Sequence, residues 1–291
     1  MLDQTPQVRA LLSRVADMTA PPLVMGILNV TPDSFHDGGR FASPEAAVAH
    51  GLSLASEGAD LIDVGGESTR PGATSLTAAE EASRVVPVIR ALARATTVPL
   101  SVDTRHALVA EAAIEAGAVM VNDVSAFTAD SDMIPLLVRA RPLAVAMHMR
   151  GDPSTMQTRT DYRAFLADCI AELWASVTAA CNAGFPLEHV FVDPGIGFAK
   201  TPAQCLEILR HLDLFVRLGR PVLIGPSRKS FVGAVLDRPT TGDRLFGTAA
   251  AVALATASGA RVIRVHDVSA MCDVVRVAHA VTRASSRENA A

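Results

Sequence analysis

The chain has 291 residues, of which 49% are apolar and 19% are charged, and its formal net charge is −4. This composition supports a large core and argues against a disordered chain or a strongly basic nucleic-acid-binding protein. No apolar run is long enough to span a bilayer and the first residues lack the apolar segment of a signal peptide, so we expect a cytoplasmic protein without a membrane anchor.

One pattern recurs along the chain: a short apolar run, a polar or glycine-rich loop, and an alanine-rich amphipathic segment. A separate leading helix is predicted over residues 7–17, before the first repeat. The eight apolar runs that we predict to be strands are 23–28, 60–64, 98–102, 119–122, 143–147, 189–193, 221–225 and 261–265. They are continuously apolar rather than alternating, which is typical of parallel strands buried on both faces.

Helices are predicted between these runs. Ser43 followed by Pro44 is a typical helix start, and Thr77 with Glu80 forms a capping box. The main helices predicted from these signals and from apolar periodicity are 44–57, 77–94, 161–183 and 243–258, and a short extra helix is predicted over 227–237.

Eight strand-and-helix units predict a TIM barrel, the α/β fold in which eight parallel strands close on themselves. No linker or shift in composition interrupts the pattern, so we expect residues 1–291 to form a single domain with its core at about 23–285. An open doubly wound sheet is the alternative. That fold more often carries GxGxxG after its first strand, whereas "NVTPDSF" follows the first strand here.

The four cysteines are widely spaced and include no CxxC pair, which argues against a zinc framework. They are Cys169, Cys181, Cys205 and Cys272. We expect all four to be reduced thiols in or beside the core.

Polar residues follow the predicted strands, at the ends that form the active-site face of a TIM barrel. A single aspartate after a strand often caps the next helix, but capping alone does not explain eight polar strand ends. Acceptors that suit a ligand rich in N–H groups, such as an aminopyrimidinone, are Asp103, Asn122 and Asp193. Donors and cations that suit a phosphate-rich group are Asn29, Thr69, Arg70, Arg264 and His266.

The segment "GPSRKS" at 225–230 follows the seventh predicted strand and is similar to the end of a P-loop. A P-loop requires GxxxxGK[ST], and this segment lacks the second glycine, so we do not predict a nucleotide site. Ser227 or Ser230, with the N–H groups of the helix that follows, suits a carboxylate or a phosphate.

Nine stretches, in order along the chain, resemble dihydropteroate synthases, enzymes of folate synthesis. They are "GILNVTPDSFHDGG" (26–39), "GADLIDVGGESTRPGA" (58–73), "SVDT" (101–104), "VNDV" (121–124), "MHMRGDPSTMQ" (147–157), "DPGIGFAK" (193–200), "GPSRKSFVG" (225–233), "RLFGTAAA" (244–251) and "RVHDV" (264–268). The resemblance implies condensation of 4-aminobenzoate with (7,8-dihydropterin-6-yl)methyl diphosphate, assisted by Mg²⁺. It also implies a homodimer and competitive inhibition by sulfonamides.

The resemblance also implies residue roles. The pterin ring is assigned to Asp103, Asn122, Asp193 and Lys229. The diphosphate is assigned to Thr69, Arg264 and His266, and the Mg²⁺ to Asn29. The 4-aminobenzoate pocket is assigned to Phe35, Arg70 and Pro71, with Ser230 receiving the carboxylate. We expect catalysis to depend most on Lys229, Arg264 and Asp103, and to need no catalytic base because an aromatic amine is a competent nucleophile.

Three residues depart from the pattern expected of this family, namely His36, Pro226 and Phe246. The alternatives that remain open are a pterin-dependent methyltransferase domain, a non-catalytic pterin-binding paralogue, and a metal-dependent hydrolase that would use His148 and His266. Histidines expected away from the active-site face are His50, His106, His189, His211 and His279.

Overall fold

The computed structural model of the chain describes residues 5–31, 43–68 and 76–284. Its strands are β1 (Leu23–Asn29), β2 (Leu61–Gly65), β3 (Leu100–Asp103), β4 (Met120–Asp123), β5 (Leu143–Met147), β6 (Val190–Asp193), β7 (Leu223–Ile224) and β8 (Val262–Val265). They form one parallel sheet in the order β6-β5-β4-β3-β2-β1-β8-β7. A bridge between Val192 and Val222 joins β6 to β7 and closes the sheet. The predicted TIM barrel is therefore confirmed.

The helices lie in the intervals where they were predicted. They are α1 (Pro6–Ala16), α2 (Pro44–Ser56), α3 (Ala78–Ala95), α4 (Ala107–Ala116), α5 (Met133–Ala140), α6 (Phe165–Asn182), α7 (Pro202–Arg210), α8 (Leu212–Val216), α9 (Ser230–Leu236), α10 (Leu245–Ala257) and α11 (Val268–Arg283). Thr77 and Glu80 form the predicted capping box at the start of α3. The helix predicted from 161 begins only at Phe165, because the Asp168 carboxylate accepts the backbone N–H groups of residues 163 and 164 and caps the first turn there.

Two apolar layers hold the barrel together. The outer layer lies between the strands and the surrounding helices, and the inner layer fills the end of the barrel where the strands begin. Inner residues such as Met25, Leu61 and Phe191 pack with Val8 and Leu11 of α1, so the leading helix covers that end. Because burial of apolar side chains is the main favourable term in folding, this contact explains why α1 is part of the fold.

Arg261, just before β8, fastens α1 to the barrel. Its guanidinium donates hydrogen bonds of 2.9–3.0 Å to the backbone carbonyls of residues 14, 15, 17 and 20. Those carbonyls lie at the end of α1, where a helix leaves its last C=O groups without partners. One buried side chain therefore caps the helix and fixes the chain that leads into β1.

The four cysteines are free thiols, as expected. Within the described residues, no helix combines the length and the apolar content that a bilayer span requires.

Candidate active site

The register of the sheet places three predicted site residues in one row. Asn29 pairs with Gly65, Gly65 with Asp103, and Asp103 with Asn122, across four neighbouring strands. All lie at the carboxyl ends of their strands, which is the active-site face of a TIM barrel. Gly65 adds no side chain to this row: a Cβ there would lie 3.5 Å from the Cβ of Asp103 and 3.9 Å from Oδ1 of Asn29. The row therefore leaves space between its polar side chains.

Asp63, inside β2, connects this row to β8. Its Oδ2 accepts hydrogen bonds from Nε of Arg264 at 2.6 Å and from Nδ2 of Asn122 at 2.9 Å. Nη2 of Arg264 also donates to Oδ2 of Asp103 at 2.7 Å. Asp63 is fully buried, and a buried carboxylate is tolerated only when paired and hydrogen-bonded. Arg264 thus holds two carboxylates together at the centre of the candidate site.

Burial shifts the pKa values of the acidic groups here. Loss of solvation raises the pKa of Asp103, against the opposing effect of Arg264, and the neighbouring Asp63 raises it further. Burial also raises the pKa of Asp193, at the end of β6, to about 6, although the backbone N–H of Gly195 stabilises its charged form. Carboxyl groups with raised pKa values are common at functional sites.

Lys229 follows β7 and lies over the Phe198 ring, with Nζ 3.9 Å from the ring centre. Burial, with a further contribution from the charge of Arg264, lowers the pKa of Lys229 to about 8. Asp193 opposes this shift. Lys229 is therefore a poorly solvated cation close to carboxylates, and a ligand with hydrogen-bond acceptors would complete its environment.

The loop between β7 and α9 is held from both sides. Arg228 has a positive φ of 56° and its guanidinium forms hydrogen bonds of 2.6 and 3.1 Å with Asp267. Oγ of Ser227 accepts the backbone N–H of His266 and lies 3.0 Å from the His266 Nδ1. The Ser227 hydroxyl therefore contacts both the backbone and the ring of His266, which joins this loop to the end of β8. Ser230 is the exposed first residue of α9. The helix predicted from 227 begins three residues later because Arg228 is left-handed and Lys229 has an extended backbone.

A second cluster lies beside the loop after β2. Glu67, Glu81 and His106 each offer one possible metal-ligand atom, and these atoms lie within 4.8 Å of one another. Both carboxylates of this cluster have basic partners. Glu81 Oε2 lies 2.8 Å from His106 Nδ1, and the neighbouring Arg105 donates to both oxygens of Glu67 at 3.2 Å. The hydrogen bond to Glu81 raises the pKa of His106. The expectation that His106 lies away from this face was wrong, because it precedes α4, three residues after β3 ends.

His148 forms hydrogen bonds with other side chains and not the metal contacts that a metal-dependent hydrolase would need. Its Nε2 contacts Glu172 at 3.1 Å and its Nδ1 contacts Lys200 Nζ at 2.9 Å. Within residues 5–31, 43–68 and 76–284, neither His148 nor His266 belongs to a group of possible metal ligands. The structure therefore gives no support to a metal centre built on these two histidines.

The described residues include eight of the twelve predicted site residues. The other four lie outside the described ranges: Phe35, Thr69, Arg70 and Pro71. Neither Asp63 nor Lys200 was among the predicted site residues. A signal for Asp63 existed, since an aspartate within the apolar run "DLIDV" has to find a buried partner.

Comparison with known proteins identifies the family. The sequence profile described as "Pterin binding enzyme" matches residues 25–266. The dihydropteroate synthase of Synechocystis sp. is 43% identical over 286 residues, which cover 94% of this chain and 99% of that protein. This chain belongs to the dihydropteroate synthase family.

Solved dihydropteroate synthases have the same fold. The Xanthomonas albilineans enzyme with 4-aminobenzoic acid is 44% identical, with a TM-score of 0.86 over 92% of this chain and 95% of that one. The same enzyme has been solved with 7,8-dihydropteroate, at 42% identity, a TM-score of 0.83 and coverage of 92% and 96%. The Yersinia pestis enzyme with a sulfonamide drug is 38% identical, with a TM-score of 0.87 over 91% of this chain and 96% of that one.

Proposed function

We infer that this chain catalyses the condensation of (7,8-dihydropterin-6-yl)methyl diphosphate with 4-aminobenzoate to 7,8-dihydropteroate and diphosphate. The observation that carries this inference is its similarity, over nine-tenths of its length, to dihydropteroate synthases solved with 4-aminobenzoic acid and with 7,8-dihydropteroate. The polar row at the carboxyl ends of the strands supplies the groups that such ligands need. The comparisons also favour this activity over a methyltransferase domain, since relatives that are 43% and 42% identical are dihydropteroate synthases.

We propose that the pterin ring binds between Asn122, Asp193 and Lys229, beside Asp103. The contact of Asn122 with Asp63 uses its amide nitrogen, so its amide oxygen is the atom that would accept a pterin N–H. Asp193 uses Oδ1 for the Gly195 N–H, which directs its other oxygen to the ligand. Lys229 donates to a pterin acceptor. An aminopyrimidinone edge has donors and acceptors that match this set.

The diphosphate is proposed to bind near Arg264 and His266, together with Thr69 from the loop after β2. Among the described residues, Nε and Nη2 of Arg264 donate to carboxylates, so we assign Nη1 to a phosphate oxygen. A guanidinium that is fixed before the substrate arrives loses little freedom on binding. The two carboxylates beside Arg264 offset its positive charge. A further cation is therefore needed to neutralise the diphosphate.

Mg²⁺ is the cation that we propose. Mg²⁺ prefers oxygen ligands and is typically held by one or two protein groups together with substrate phosphates and water. Asn29 suits this role, since its amide oxygen is a hard oxygen ligand at one end of the polar row and the neighbouring Gly65 carries no side chain. When bound, the ion would neutralise charge on the departing diphosphate. The Glu67–Glu81–His106 cluster is less suitable, because Arg105 and His106 already pair with its carboxylates.

The 4-aminobenzoate is proposed to bind against Phe35, Arg70 and Pro71, with its carboxylate at Ser230. Ser230 begins α9 and is exposed, so its hydroxyl is accessible to a ligand. Sulfonamides resemble 4-aminobenzoate in shape, and the Yersinia pestis relative was solved with one. We therefore propose that sulfonamides compete with 4-aminobenzoate here.

The reaction requires the C–O bond between the pterin methylene and the diphosphate to break. Its electron pair leaves with the diphosphate oxygen, and the positive charge on the methylene spreads into the pterin ring. We propose that the carboxylates of Asp103 and Asp193 stabilise this charge. The amine lone pair then forms the C–N bond, and the amine proton passes to water or to the diphosphate. Most of the rate enhancement comes from positioning and electrostatics.

Several proposals concern the whole chain. Four free thiols suit a reducing compartment, in agreement with the cytoplasm. We propose that residues 1–291 act as one catalytic domain and that the protein is a homodimer. Exposed apolar side chains on adjacent helices support the dimer: they are Phe246 and Leu254 on α10, and Val277 and Val281 on α11.

The test measures diphosphate release and dihydropteroate formation from both substrates with Mg²⁺. We expect product with the unaltered protein, and loss of product in Lys229→Ala and Arg264→Ala. Binding of the pterin diphosphate without condensation would instead identify a non-catalytic paralogue. Omission of Mg²⁺, with Ca²⁺ as a matched divalent control, tests the cation separately.

A further inference from the structure

Lys200 is a buried cation that the proposed reaction does not use. It lies in the loop after β6 and is only 3% exposed. Its ammonium has three donors, which contact His148 Nδ1 at 2.9 Å, His148 O at 3.2 Å and Phe198 O at 2.9 Å. All three acceptors are neutral when His148 is neutral. Burying an ammonium is costly, so this arrangement requires well-aligned partners.

The contacts of Lys200 determine the state of His148. An ammonium only donates, so Nδ1 of His148 carries a lone pair and Nε2 carries the proton. That proton is directed to Glu172, 3.1 Å away, which also pairs with Arg150. Burial and then the charge of Lys200 lower the pKa of His148 to about 4, so the ring is neutral at physiological pH. The imidazole therefore links a buried ammonium to a carboxylate at the surface of the barrel.

A second contact reaches the same loop from Tyr162, in the segment that precedes α6. The Arg150 guanidinium lies over the ring of Tyr162, 3.9 Å from its centre, and the Tyr162 hydroxyl donates to Ala199 O at 2.9 Å. Lys200 and Tyr162 thus hold the carbonyls of two consecutive residues, Phe198 and Ala199. Ala199 has a positive φ of 49°, which is unfavourable for alanine and persists only where surrounding contacts impose it.

This fixed loop forms the wall against which Lys229 lies. The Phe198 ring lies under Lys229 Nζ, and a Cβ on Gly197 would lie 3.1 Å from Lys229 Cδ. At Gly195 a Cβ would lie 2.0 Å from His148 O, so the ends of β5 and β6 are in close backbone contact. A shift of the loop would therefore move the surface that supports the Lys229 ammonium.

We propose that Lys200 and His148 are positioning residues for Lys229: they fix the 195–200 loop so that Phe198 and Gly197 hold the Lys229 ammonium where the pterin binds. The proposal rests on the proposed function, in which Lys229 contacts the pterin. Neither Lys200 nor His148 is required to touch a substrate.

The experiment compares steady-state kinetics and melting temperatures of the full chain and its variants. Lys200→Met keeps a side chain of similar length but removes the three hydrogen bonds that the ammonium donates. We expect it to raise KM for the pterin diphosphate about tenfold, with a change in kcat below about threefold. His148→Leu is expected to raise the same KM similarly. His148→Asn retains an acceptor near Nδ1 and is expected to restore KM to within about twofold of the unaltered protein.

Thr201→Ala is the matched control. Thr201 is next to Lys200 and caps α7, so its loss should lower the melting temperature without affecting KM. An unchanged pterin KM in both Lys200→Met and His148→Leu would overturn the proposal, as would an equal increase of KM in Thr201→Ala. If Lys200→Met fails to fold, the comparison of His148→Leu with His148→Asn decides. Absence of dihydropteroate formation by the unaltered protein would refute the proposed function instead, which is a separate result.

Discussion

Arg264 and Asp63 form an ion pair of 2.6 Å between β8 and β2, at the centre of the barrel's active-site face. The Asp63 side chain is fully buried and the Arg264 side chain is 18% exposed. Because β1 lies between β2 and β8, this ion pair joins two strands that are not hydrogen-bonded to each other. The orientation of Arg264 is therefore fixed by the protein before any substrate binds.

Loss of the Asp63 charge should affect both stability and activity. Asp63→Asn leaves a buried guanidinium with one carboxylate, and breaking a buried pair costs about 3 kcal/mol. We expect that loss in urea unfolding, and a fall in kcat/KM on the order of 100-fold as Arg264 changes orientation. Asp60→Asn is the control: Asp60 pairs with the half-exposed Arg14, so its loss should cost less than about 1 kcal/mol. Equal effects of the two substitutions would contradict this account.

The sequence predicted the strands well because a parallel barrel buries them on both faces and leaves a continuous apolar signal. It also indicated Asn29, Asp103 and Asn122, because polar residues at strand ends meet at one face. It did not reveal that Asp63 would bind Arg264, since 201 positions separate them and only closure of the barrel brings them together. The same holds for Lys200 and His148, whose contact depends on how two loops pack.

The acid side of the pH–rate profile should report Asp193. Its raised pKa of about 6 means that the carboxyl becomes protonated as the pH falls through that value. A protonated carboxyl is a weaker acceptor for a pterin N–H, so kcat/KM for the pterin diphosphate should fall below pH about 6. Asp193→Asn, which does not titrate, should lower kcat/KM and flatten this limb. A limb that persists unchanged in the variant would assign it to another group, such as Asp103.

The alkaline side should report Lys229. Burial lowers its pKa to about 8, so the ammonium loses its proton as the pH rises above that value. The neutral amine is a weaker donor, and kcat/KM should therefore decline above pH about 8. Lys229→Arg stays charged throughout this range and should lose the limb, although with lower activity because guanidinium geometry differs. Lys229→Gln, which is always neutral, is the complementary control and should show low activity at every pH.

Arg261 gives a prediction about stability alone. It donates four hydrogen bonds to carbonyls at the end of α1, on the face opposite the candidate site. Arg261→Met should lower the free energy of unfolding by about 2–4 kcal/mol, because buried carbonyls lose their donors. KM for both substrates should stay within error, as measured in the same preparation below its melting temperature. Arg14→Met, at a half-exposed position in α1, should cost less than about 1 kcal/mol.

The proposed homodimer can be tested at Phe246, one of the three residues that depart from the family pattern. Its side chain is 84% exposed on α10, with Leu254 on the same helix 59% exposed. An exposed phenylalanine on a helix that carries another exposed apolar side chain is costly in water and favourable at an interface. We expect sedimentation velocity to show a dimer for the unaltered chain and a monomer for Phe246→Asp. Leu108→Asp is the matched control, because Leu108 is 57% exposed on α4 and should leave the dimer intact. If the dimer persists in Phe246→Asp and is lost in Leu108→Asp, the interface lies on the α4 side of the barrel instead.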